Sequence, residues 1–153
     1  MSADTNKTLV RRYYEEILNK RDTSRIDELF APSYAYHITG TPPRLPQGLD
    51  GFKQFIKEFL SGYTNLQFTI DDQIVAEDKV VTRVTGRSSN IGPVQEGKPE
   101  APETAANAAI IPGISIDRIA GGKIVESWGV FDLSGMLQQV GMVPQHTKSQ
   151  AGG

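Results

Sequence analysis

Gly121-Gly122-Lys123-Ile124-Val125-Glu126-Ser127-Trp128-Gly129-Val130-Phe131-Asp132 is the stretch whose reading decides the fold. A two-glycine turn opens an apolar strand that carries the only tryptophan and stops at a carboxylate. Helical spacing follows through Leu133, Met136, Leu137 and Val140. Asp132 therefore stands where a strand meets a helix, beside large apolar side chains. Two readings fit this place. Asp is a favoured helix N-cap, and a carboxylate against apolar neighbours has a raised pKa and can move protons.

Working backwards, a strand at about 105–119 reaches the same turn through Ala120. Pro112 and Gly113 interrupt it and suggest a bulge or an edge. Before it, Leu66, Phe68 and Ile70 alternate with polar residues and the run continues through Ile74 and Val75. Glu77-Asp78 makes a turn, and Lys79–Gly86 is the partner strand of a hairpin. Residues 88–104, rich in Gly, Pro and Glu, read as a mobile loop near a cavity mouth.

The N-terminal half has helical period. Residues 7–20 carry the stripe Leu9, Val10, Tyr13, Tyr14, Ile17 and Leu18. A short helix at about 24–31 starts at Ser24 and stops before Pro32. Tyr34–Ile38 is a short strand. A third helix, about 51–61 with Asp50 as its candidate cap, places Phe52, Phe55 and Phe59 on one face, as core or as the wall of an apolar pocket. Helices come first and an antiparallel meander follows, so the class is α+β. A curved sheet against three helices encloses a cone, whose mouth suits a small-molecule pocket.

The chain of 153 residues reads as one domain over 1–143 with a disordered tail at 144–153. A net charge of −2 with scattered basic residues argues against nucleic-acid or membrane partners. There is no cysteine, hence no thiolate nucleophile or thiolate metal site. The polar N-terminus and the lack of a 20-residue apolar run lead us to expect a cytoplasmic protein.

Several tracts resemble SnoaL-like polyketide cyclases, also called ester cyclases, of the nuclear transport factor 2-like superfamily. They are Val10–Glu16, Tyr34–His37, Gly48–Phe52, Leu66–Ile70, Asp78–Arg83, and Gly122–Trp128 through Asp132 to Leu137–Gly141. The resemblance spans roughly residues 7–143. It implies a cone-shaped α+β fold of a curved antiparallel sheet on three N-terminal helices. It further implies intramolecular aldol ring closure of a polyketide ester, with no metal or organic cofactor. Superfamily members commonly pair through the outer sheet face. The 66–76 and 105–119 strands have apolar residues of both parities, so a homodimer is expected. The family's acid/base aspartate matches Asp132 by its place after Glu-x-Trp.

The chemistry is coherent with these residues. An aldol closure needs a base, an acid for the new hydroxyl and a shaped cavity. His37 matches a family histidine and is the second catalytic candidate, against a purely structural role. Arg83 is the third. Inside a cone it must meet a carboxylate, with Asp132 as the candidate, and on the outer face it is a surface residue. Tyr14, Tyr36, Phe55 and Phe59 are candidate substrate contacts, as is Trp128, which shares the strand parity of Asp132. Isomerase, dehydratase or epoxide-opening chemistry on the same fold is an alternative, although Thr85 stands where an Asp–Arg–Asp epoxide hydrolase would carry its second Asp. So is a non-catalytic module for a lipophilic ligand, with Asp132 only a cap.

Overall fold

The computed structural model describes residues 2–132 except 40, 42, 64 and 89–108. Helix α1 (Ala3–Arg12) begins at Ser2, whose hydroxyl accepts the Thr5 N–H at 3.1 Å. Asp4 in its first turn and Arg11 and Arg12 in its last match the helix dipole. The helix then widens into a π-helical segment, Tyr13–Asn19. Asn19 ties its end to the sheet: the side chain donates to the Phe68 carbonyl at 2.9 Å and accepts the Phe68 N–H at 2.7 Å.

A 3-10 turn (Thr23–Arg25) and the one-turn helix α2 (Ile26–Leu29) lead into β1 (Phe30–Ile38). The second helix is thus shorter than its sequence suggests, and Ser24 does not cap it but bonds Asp22 at 2.5 Å. Pro32 is no helix stop. It lies within β1, an edge strand, where a missing N–H faces no partner strand. Helix α3 (Leu49–Ser61) starts at Gly48, whose φ of +101° favours glycine, and Asp50 supplies first-turn charge rather than a cap bond.

The sheet continues with β2 (Gln67–Ala76), β3 (Lys79–Ser88), β4 (Ala109–Ala120) and β5 (Lys123–Phe131). Its order is β1-β5-β4-β3-β2. The meander is antiparallel throughout, and β1 joins β5 in parallel. Strand β4 runs unbroken through Pro112 and Gly113, against the expected interruption. The Pro112 carbonyl accepts the Asp132 N–H at 3.0 Å, so its missing N–H faces the end of β5, where the ladder stops anyway. The register shifts instead at Asp71, opposite β3, and at Val125, opposite β4.

The core lies between the helices and one sheet face. Phe52 of α3 meets Phe30, Tyr34 and Tyr36 of β1 at 5.0, 4.8 and 5.3 Å between ring centroids. Two phenylalanines use bare backbone on the inner face. A Cβ on Gly86 would stand 2.8 Å from the Phe68 ring, and a Cβ on Gly113 would collide with the Phe131 ring. Gly113→Ala should therefore destabilise the fold by about 1–3 kcal/mol, the usual cost of overpacking. Urea unfolding measures it; an unchanged midpoint would mean that the Phe131 ring yields freely.

Candidate active site

Phe68 and Phe131 meet edge to face at 6.4 Å and form one wall of an apolar cavity. Leu18, Tyr13, Ile38, Thr39, Phe55, Ile56, Phe59 and Ile111 complete it. It holds about 30 Å³ of water-sized space within roughly 400 Å³ of unfilled volume that includes its open side. Among the described residues no charged side chain lines it. Such a surface selects an uncharged, ring-rich ligand by burial of apolar area.

The sequence-predicted site residues separate into three places. Phe55 and Phe59 line the cavity. Tyr14 and Tyr36 are buried beside it: Tyr14 bonds Ser115 Oγ at 2.9 Å, and Tyr36 donates to the Pro46 carbonyl at 3.4 Å. Trp128, His37, Arg83 and Asp132 belong to the other side or the rim of the sheet. Trp128 and Asp132 do share a parity, but it is the outer one. Trp128 stacks on His37 at 5.5 Å. His37 Nε2 lies 2.9 Å from Glu126 Oε2, and Arg118 donates to the same carboxylate at 3.2 Å. These two partners, His37 foremost, hold the Glu126 carboxyl below its usual range.

Arg83 is exposed and ion-pairs with Asp71 at 3.7 Å; Thr85 also donates to Asp71 at 2.6 Å. With Asp132 these residues surround an open depression of about 460 Å³ on the outer face. Asp132 is exposed, one residue past the cavity wall at Phe131, and its N–H is fixed on Pro112. The structure thus puts Arg83 and Asp132 around one depression and leaves His37 apart from both. The helix 133–140 and the 88–104 loop lie outside the described residues, save Ser88 at the end of β3.

A buried cluster escaped the sequence reading. Asp117 is only 3 % exposed, accepts from Ser127 at 2.5 Å and Ser115 at 3.2 Å, and lies between β4 and β5 on the inner face. Tyr14 reaches it through Ser115, and Tyr34 approaches from β1 through Ser127. Burial pushes its pKa up to about 6, with the two serine hydroxyls opposing the rise. The one available signal was that Ser115 and Asp117 share the parity of Ile111 and Ile119.

The family model for SnoaL-like polyketide cyclases matches residues 8–140, and the chain belongs to that family. No curated protein matches the sequence. Among solved structures, TsrD from Streptomyces laurentii is 24 % identical with a TM-score of 0.74, covering 94 % of this chain and 99 % of its own. IdmH from Streptomyces antibioticus, a proposed polyketide cyclase, is 24 % identical with a TM-score of 0.72, covering 89 % and 98 %. AclR from Streptomyces galilaeus, a proposed hydroxylase, is 19 % identical with a TM-score of 0.71, covering 97 % and 88 %. At these identities the likeness carries the fold, which is α+β and nuclear transport factor 2-like. Among the described residues no helix is long and apolar enough to cross a membrane, and no group of three or more His, Cys, Asp or Glu is placed to hold a metal ion.

The buried carboxyl generates a pH prediction. The folded pKa of about 6 lies above the ordinary value of 3.8 for an Asp in the unfolded chain. Below the unfolded pKa both states hold the proton and there is no penalty. Between the two values the unfolded state releases it first, so stability falls as pH rises and the loss is complete above the folded pKa. Relative to Asp117→Asn, wild type should lose about 3 kcal/mol between pH 3.5 and pH 7. Urea midpoints of both proteins across that range measure it. A pH-independent difference would contradict the assignment.

Proposed function

We propose that this chain is a cofactor-free acid/base enzyme that closes a ring in a lipophilic, polyketide-like substrate by an aldol-type reaction. The observation that carries the reading is an uncharged aromatic cavity ending at Phe131, with a carboxylate at the next residue. Family membership supports the substrate class. In this reading Asp132 takes a proton from the carbon beside an ester carbonyl. The resulting carbanion attacks a ketone carbon of the same chain and forms the new C–C bond. The alkoxide takes the proton back from Asp132, which returns the carboxylate. Exposure at the rim leaves Asp132 reachable, while the cavity folds the substrate; that folding is the larger contribution.

Asp132→Asn removes the transferable proton and keeps the shape. Turnover of a polyketide ester should fall roughly 100-fold or more. Stability should change by less than about 1 kcal/mol, because the side chain is exposed. His37→Gln and Arg83→Gln, on the outer face, should have smaller effects. Full activity in Asp132→Asn on a confirmed substrate would sink the mechanism. A second reading has its own support: among the described residues no carboxylate lines the cavity, as expected of a module that binds a lipophilic ligand without turnover. Equal ligand binding by wild type and Asp132→Asn, with no product from either, would favour it.

The proposal includes a homodimer through the outer sheet face. Ile74, Val81, Ile116 and Trp128 pair in register across four strands, and His37 on β1 closes the row. Ile74, Ile110, Ile114 and Val130 are each about half exposed or more. Burying a large apolar side chain is worth about 1.5–3 kcal/mol, so such a face gains from a second copy. Ile114→Arg should shift sedimentation at micromolar concentration from dimer to monomer. A wild type that sediments only as monomer would refute the interface.

A further inference from the structure

Two of the residues that line the cavity carry a hydroxyl, Tyr13 and Thr39. Thr39 Oγ1 already accepts the Phe131 N–H at 3.2 Å, which fixes it to the strand end. The Tyr13 hydroxyl has no hydrogen-bond partner among the described residues, whereas its neighbour Tyr14 is bonded to Ser115. The two rings stand 5.0 Å apart at the start of the π-helical segment, so one tyrosine anchors the segment and the other is left to the cavity. A phenol left without a partner beside an apolar cavity is poised to donate to whatever enters.

We propose that Tyr13 is the ligand-binding hydrogen-bond donor of the cavity, and that the group it recognises is the carbonyl oxygen of a neutral, flat ring compound. This rests on the cavity being the ligand site. Burial, and after it Tyr14, Tyr34 and Asp117, keep the phenol protonated well above its usual pKa, so it remains a donor at any physiological pH. The same surroundings oppose an anionic ligand, because the charge of Asp117 already acts against a charged phenol at Tyr13. In an aldol closure the hydrogen bond would fall on the oxygen that gains charge as the enolate forms. No proton need leave Tyr13.

Acetophenone and ethylbenzene isolate the interaction, because they differ only in a carbonyl replacing a methylene. The affinity ratio of ketone to hydrocarbon, measured by ligand-detected NMR on wild type and on Tyr13→Phe, cancels their different solvation. The ratio should fall about three- to tenfold in Tyr13→Phe, with ethylbenzene affinity unchanged. Tyr14→Phe should leave it intact. An unchanged ratio in Tyr13→Phe, or an equal loss of both ligands, overturns the proposal while the cavity reading stands. If neither compound binds wild type, the cavity reading falls and the Tyr13 assignment with it. Should Tyr13→Phe fail to fold, the Tyr13 ring resonances of wild type serve instead. A hydroxyl-linked shift with acetophenone but not ethylbenzene supports the assignment, and identical shifts overturn it.

Discussion

Strand β4 is patterned against the usual order, and the molecule is organised around that inversion. Its isoleucines at 110, 114 and 116 face out, and Ser115 and Asp117 face the core. A buried carboxylate without partners is expensive. Here two serine hydroxyls donate to it, and Tyr14 and Tyr34 bring the first helix and the edge strand to the same point. The polar chain therefore links three elements that share few sequence-local contacts. An apolar pair at these positions would hold them by area alone and would not select a register.

The outward half of the same pattern makes the apolar row across the sheet. Polar groups spent inside leave isoleucines outside, so tether and sticky face are two consequences of one strand. Arg83, Asp71 and Asp132 lie beside that row, around an open depression. The inner cavity has the opposite character. It is lined by rings, closed by Phe131 over Gly113, and holds hydroxyls but no charge among the described residues.

Periodicity made most of the fold legible. The switch from a 3.6 to a 2-residue period after Gly62 marks the boundary between helices and meander, and β5 falls at 123–131 as read from its two-glycine turn. What escaped depends on partners distant in sequence. Single-residue register shifts at Asp71 and Val125 reverse which face a side chain occupies, and no local pattern announces them. The reading of Pro32 as a stop failed because an edge strand tolerates a missing N–H. Phe55 and Phe59 were legible as pocket wall from their helical face. Asp117 was not, because Ile-Ser-Ile-Asp reads as isoleucine in and polar out. Tyr13 was read as core stripe, because propensity does not forecast a π-helical turn.

Separation of the polar groups constrains the chemistry that this chain can do. Among the described residues the one carboxyl with a strongly raised pKa, Asp117, is sealed by Tyr14, Tyr34 and two serines and does not line the cavity. A proton on it is therefore spent on stability, not on substrate. Asp71, Glu126 and Asp132 lie on the rim or the outer face of the sheet, where ion pairs store little energy. The proposed reaction therefore calls for a substrate whose proton is already acidic, such as one beside an activated ester carbonyl. In that proposal the shape of the cavity and the Tyr13 donor supply the rest. With the cavity lining and the Asp117 tether made of different residues, the lining can change without touching the tether that holds the fold.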